Sequence, residues 1–83
     1  MISATPQDLV AQVRARIRDI PDFPQPGIIF KDITPILSDG PLFQSVIRWL
    51  ADEFGQRGIE QVVGIESRGF IFAASLAFHL GCG

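Results

Sequence analysis

Val62-Val63-Gly64-Ile65-Glu66-Ser67-Arg68-Gly69-Phe70 runs from a β-branched apolar stretch, through an acidic–hydroxyl–basic corner, into a second apolar stretch. These residue types in this order can hold an anion. In open α/β sheets, ligands bind in the crevice at the carboxyl ends of the strands. A helix that starts there presents N–H groups and the positive end of its dipole. Arg68 adds a planar guanidinium whose donors match phosphate or carboxylate. An ordinary βα turn also uses a cap and a residue tolerant of positive φ. Taken alone, the corner leaves both readings open.

A second segment with chemical potential lies upstream. Five of the six prolines fall between Pro21 and Pro41, which rules out a long helix and favours extended backbone with fixed turns. Phe23, Ile28, Ile29, Phe30, Ile33, Ile36 and Leu37 are interleaved with them. Flexible linkers are polar, so this apolar strap must dock, either as the wall of a ligand pocket or as a cover over the core.

The elements that position these segments follow from periodicity. Thr5-Pro6-Gln7-Asp8 reads as a helix start, with Thr5 as N-cap. Leu9, Val10, Val13, Ile17 and Ile20 continue at helical spacing until Asp19–Pro21 ends the helix. Gly40-Pro41 restarts a helix with Leu42, Phe43, Val46, Ile47, Leu50 and Phe54 on one stripe, Trp49 at its rim, and Gly55 or Gly58 ending it. Residues 59–65 read as a parallel strand covered on both faces. A helix from about Phe70 to Leu80 is apolar nearly all round and is expected to be buried on every side. His79 there reads as a packed or rim residue. A parallel strand needs a neighbour. Residues 28–33 could pair with 59–65, but that sheet would be too small. The expected fold is therefore the front part of a larger α/β domain, incomplete at residue 83.

Bulk properties narrow the function classes. The 83 residues are 47% hydrophobic and 19% charged, a globular composition. A net charge of −2 gives no footprint for nucleic acid or an acidic membrane surface. One cysteine, Cys82, has no internal partner and fits a reducing compartment. Cys82 and His79 alone do not make a zinc site. No run approaches the ~18 apolar residues of a membrane span, and the start lacks a signal-peptide pattern. The expected location is cytoplasmic.

Phe23-Pro24-Gln25-Pro26-Gly27-Ile28-Ile29-Phe30-Lys31-Asp32-Ile33, followed by Val63 to Phe70, resembles the adenine phosphoribosyltransferase family, of the type I phosphoribosyltransferases. The resemblance covers essentially the whole chain and implies the amino-terminal half of one such domain, an open parallel sheet with flanking helices. Residues 1–41 would form a helix plus the Pro-rich adenine strap; residues 42–83 would form helix–strand–helix with the pyrophosphate loop. The implied activity is a pentosyltransferase of purine salvage, moving phosphoribosyl from phosphoribosyl pyrophosphate to N9 of adenine to give AMP and pyrophosphate. Mg2+ would come bound with phosphoribosyl pyrophosphate, and the full-length enzyme would be a homodimer.

Residue by residue, the resemblance places adenine on Ile29, Phe30 and Lys31. Backbone groups of Ile29 and Lys31 read the base edge, and the Phe30 ring stacks on it. Pyrophosphate falls on Glu66, Ser67, Arg68 and Gly69, with a cis peptide before Ser67. Many relatives have Asp at Glu66 or Ala at Ser67. The family's lid, catalytic glutamate and ribose 5-phosphate loop are expected beyond residue 83. No catalytic residue is expected within the chain, and the isolated 83 residues should be inactive. Two alternatives share the fold: a non-catalytic purine-responsive regulator, and a dead truncation that packs with an intact subunit.

Overall fold

Among the described residues, the chain bonds to itself through one hairpin and four helices. The computed structural model describes residues 6–83, so the Thr5 cap lies outside the described residues. In order they are α1 (Pro6–Arg16), β1 (Arg18–Pro21), β2 (Ile29–Asp32), α2 (Thr34–Leu37), α3 (Gly40–Phe54) and α4 (Glu66–Leu80). The chain divides into two units, Met1–Ser45 and Val46–Gly83.

In the first unit, α1 stops at Arg16, short of the Asp19–Pro21 end expected from periodicity. Residues 18–21 turn extended because they find an antiparallel partner: Arg18 pairs with Asp32, Asp19 with Lys31, Ile20 with Phe30, and Pro21 with Ile29. A paired ladder outweighs the weak helical preference of a β-branched and proline-terminated segment. The strap therefore pairs with β1. The connecting turn places Asp22 and Gly27 at positive φ, and the Asp22 carboxylate accepts the Gly27 N–H at 2.9 Å. Phe23-Pro24 is a cis peptide. Leu9, Ile36 and Leu42 are the buried apolar residues of this unit.

One carboxylate joins β1, β2 and α2. Asp32 is only 7% exposed. One of its oxygens accepts the Arg18 Nε–H at 3.1 Å and also Nη2; the other accepts the Thr34 N–H at 2.9 Å and the Thr34 hydroxyl at 2.8 Å. The Thr34 backbone N–H, then Arg18, then the Thr34 hydroxyl stabilise the anion and lower its pKa to about 2. Asp39 is also held below the usual carboxylate range, first by Arg16 and then by the Leu42 N–H that it caps at the start of α3. Carboxylates with depressed folded-state pKa values stabilise the fold above the unfolded carboxylate range, and that stability is lost as pH falls through the folded values. Melting temperature should therefore hold from pH 7 to about 5 and decline from about pH 4 towards pH 2. Asp32→Asn should flatten that decline. A decline of equal steepness in the variant would refute the assignment.

In the second unit, Ile47, Ala51 and Ala77 are buried. Helix α3 ends at Phe54, whose ring lies 4.9 Å from the Arg57 guanidinium, and Gly58 follows at φ +66°. Residues 59–65 form no strand, against expectation. A ladder needs a partner along its length, and here the Val62 N–H bonds the Gly83 carbonyl at 2.7 Å. Only one face of the segment is covered. Val62 and Gly64 are half-buried, whereas Val63 and Ile65 are 83% and 82% exposed. Helix α4 is likewise not buried all round, since Phe70, Ile71 and Phe78 are exposed. Of these, Phe78 is the most exposed, at 89%. Gly81, at φ +77°, closes α4 in a left-handed cap, with the Gly81 and Cys82 N–H groups bonded to the Phe78 and Ala77 carbonyls. His79 is exposed in the last turn.

Candidate functional site

Along β2 the side chains alternate between faces. Ile29 and Lys31 are exposed on one face, while Phe30 is half-buried and Asp32 buried on the other. The backbone polar groups alternate in the same way, so those of Ile29 and Lys31 turn to the same edge of the hairpin. That is the arrangement needed for two residues to read one flat edge with main-chain donors and acceptors. The Lys31 ammonium donates to the Asp19 carboxylate at 2.6 Å, which occupies the side chain on the hairpin surface. The Phe30 ring meets Phe23 edge-on, centroids 5.3 Å apart and planes at 73°, an energetically favoured aromatic geometry. Phe23 is a residue that the site reading left out, although its place at the head of the motif could have pointed to it.

In the second unit, the Glu66–Gly69 corner is the opening turn of α4 rather than a loop before it. The helix begins four residues earlier than the apolar run suggested. Ile65 precedes it in extended backbone, and Glu66 turns at φ +62°. A left-handed conformation at a non-glycine residue costs roughly 1–2 kcal/mol, and such sites concentrate where ligands bind. The peptide before Ser67 is not cis; among the described residues Phe23-Pro24 is the one cis bond. The reversal of direction is instead made by the positive φ of Glu66. No side chain caps α4, so the opening-turn N–H groups of Glu66 and Ser67 have no partner in the helix ladder.

Ile65, Glu66, Ser67, Arg68 and Phe70 line an open concavity of about 530 Å³. Glu66, Ser67 and Arg68 are thus brought together at a helix amino terminus, as expected. Gly69 is not in the lining; it sits behind, where Gly64 passes close to it. A side-chain carbon at Gly64 would lie 2.8 Å from both the Gly69 carbonyl oxygen and the Ala73 methyl, whereas one at Gly69 would meet nothing nearer than 3.5 Å. Gly64 therefore seats the corner against α4. Overpacking of this kind costs ~1–3 kcal/mol. Gly64→Ala should lower the melting temperature by several degrees, and Gly69→Ala should not. Equal melting curves for the two variants would refute this packing role. Ile65 and Phe70, both exposed, form apolar walls that the anion reading did not include.

Among the described residues, no three His, Cys, Asp or Glu side chains converge to hold a metal ion. No helix there is long and apolar enough to cross a membrane.

No family profile matches the chain. Individual proteins do. The chain is 58% identical over 71 residues to adenine phosphoribosyltransferase of Anaeromyxobacter dehalogenans, covering 86% of this chain and 41% of that protein. It is 51% identical over 78 residues to adenine phosphoribosyltransferase of Acidothermus cellulolyticus, covering 94% and 44%. Solved structures agree. The crystal structure of adenine phosphoribosyltransferase from Rhodothermus marinus matches with a TM-score of 0.82 and 48% identity over 90% of this chain and 43% of that one. The enzyme of Giardia lamblia, complexed with 9-deazaadenine, matches with a TM-score of 0.84 and 44% identity over 89% and 41%. The chain thus spans about two fifths of the length of the relatives it matches, and over that span it has part of the α/β phosphoribosyltransferase fold.

Proposed function

We propose that this chain is part of an adenine phosphoribosyltransferase, in which the hairpin binds adenine and the α4 corner binds the pyrophosphate of phosphoribosyl pyrophosphate. The observation that carries the reading is the combination of 44–48% identity with TM-scores of 0.82–0.84 against adenine phosphoribosyltransferases, one of them holding an adenine analogue. The regulator alternative loses ground because these relatives carry the name of the enzyme.

In this reading, Ile29 and Lys31 offer backbone donors and acceptors to the purine edge, and Phe30 contributes its ring to the base. At the other segment, the Glu66 and Ser67 N–H groups, the helix dipole and Arg68 take up charge on the leaving pyrophosphate. Donors placed where charge develops favour the transition state over the ground state. In keeping with the family resemblance, Mg2+ would enter bound with phosphoribosyl pyrophosphate. AMP formation for purine salvage, a cytoplasmic location and a homodimeric full-length enzyme complete the proposal.

The test is substrate dependence in the transferase that contains this segment. It should form AMP from adenine and phosphoribosyl pyrophosphate, and Phe30→Leu should weaken adenine binding by about two- to tenfold, since aromatic contact beyond area burial is worth ~0.5–1.5 kcal/mol. If the variant melts far lower while its folded fraction binds adenine normally, Phe30 serves only the packing against Phe23.

A further inference from the structure

The Arg18–Asp32–Thr34 cluster has more bonding than a surface hairpin of four residue pairs needs, and its position relates it to the proposed base-reading residues. Asp32 directly follows Lys31 and shares its strand face with Phe30. Its two oxygens are divided between two elements. Among the described residues, Oδ2 accepts from Arg18 on β1, and Oδ1 accepts from Thr34 at the start of α2. The carboxylate therefore fixes β2 sideways against β1 and lengthwise against α2. Burying a charge is costly unless it is fully paired. One established use of a buried polar group is to fix register.

Register decides what this hairpin presents. A slip of one residue moves every side chain to the opposite face. It would bring Phe30 to the face now occupied by Ile29 and Lys31, and exchange which backbone groups line each edge. Amino and oxo purines differ in their donor and acceptor pattern, so a main-chain reader discriminates between them only while its own pattern stays in place.

We propose that Asp32, clamped by Arg18 and Thr34, is the positioning residue that fixes the register of Ile29, Phe30 and Lys31 and so determines selectivity for a 6-amino purine over a 6-oxo purine. The inference rests on the proposed adenine-binding role of the hairpin. Asp32→Asn is the informative change because it is nearly isosteric and replaces one acceptor oxygen by a donor. Whichever way the amide lies, a donor then faces either the Arg18 guanidinium or the Thr34 N–H and hydroxyl. Arg18→Met removes only the cross-strand half and leaves the Thr34 bonds in place, providing a second variant should Asp32→Asn fold poorly.

The experiment uses the complete transferase and its two variants, with KM and kcat measured for adenine, for hypoxanthine and for phosphoribosyl pyrophosphate below each variant's melting transition. The expected result is an adenine KM raised about tenfold or more, as a displaced binding group can produce. The ratio of kcat/KM for adenine to that for hypoxanthine should fall, and the KM for phosphoribosyl pyrophosphate should stay within about twofold. An unchanged adenine-to-hypoxanthine ratio in folded variants overturns the clamp while leaving adenine binding by the hairpin intact. Loss of activity in proportion to loss of folded protein, with all three KM values normal, also overturns it. A wild-type enzyme that binds adenine no better when Phe30 is present than in Phe30→Leu overturns the hairpin reading and this inference with it.

Discussion

Arg68→Ala in the complete transferase is expected to lower kcat/KM for phosphoribosyl pyrophosphate by about tenfold to a hundredfold while adenine binding stays nearly intact. The magnitude follows from losing one charge-assisted contact, worth ~1.5–3 kcal/mol. The direction follows from position. Arg68 lies in the opening turn of α4 and lines the concavity with Glu66 and Ser67, so its charge adds to that of the helix terminus. Because pyrophosphate gains charge as it leaves, a part of the loss should appear in kcat as well as KM. Arg68→Lys should recover less than the charge alone suggests, since an ammonium cannot reproduce a planar bidentate contact. Steady-state constants unchanged for both substrates would refute the assignment.

Isolated as an 83-residue polypeptide, this chain is expected to self-associate rather than unfold as a monomer in one sharp transition. Val63, Ile65 and Phe78 are each more than four-fifths exposed, and among the described residues no large side chain is fully buried. Among the described residues, 59–65 join no strand ladder, and the Val62 N–H bonds the Gly83 carbonyl. An exposed apolar edge of this kind is a template for intermolecular pairing, and apolar patches are limited in stable soluble monomers. Sedimentation should show oligomers at micromolar concentration, with strong dye binding and weak near-UV dichroism. Val63→Lys combined with Phe78→Lys should shift the population towards monomer. A wild-type polypeptide that is monomeric and melts cooperatively would overturn the prediction.

Much of the local structure was legible in the residues. Gly40-Pro41 and the stripe from Leu42 to Phe54 define α3 because a helix start and a 3.6-residue period are written locally. The proline density of 21–41 excluded a long helix, and between Pro21 and Gly40 the segment holds β2 and the four-residue helix α2. The order of strand-like run, Glu-Ser-Arg-Gly and apolar helix was enough to put Glu66, Ser67 and Arg68 around one concavity at a helix amino terminus.

Pairing was decided only in three dimensions. Residues 18–21 carry the tail of a helical pattern, yet they form β1 because 29–32 lies alongside; partners 8 to 14 residues away leave no local periodicity. The same holds in reverse for 59–65, whose composition is that of a buried strand but which, among the described residues, joins no ladder. The start of α4 at Glu66 also came from the tertiary structure, since positive φ at Glu66 lets the helix begin inside the polar corner. Asp32 is the clearest case. In the sequence it is one polar residue of a motif, and only the convergence of Arg18 and Thr34 on its two oxygens shows it as a buried, fully bonded anion. Residue types and spacing determine which helices and turns can form and which groups can meet an anion. Burial, register and the bonding of a charge depend on contacts between distant residues, and the folded chain alone supplies those.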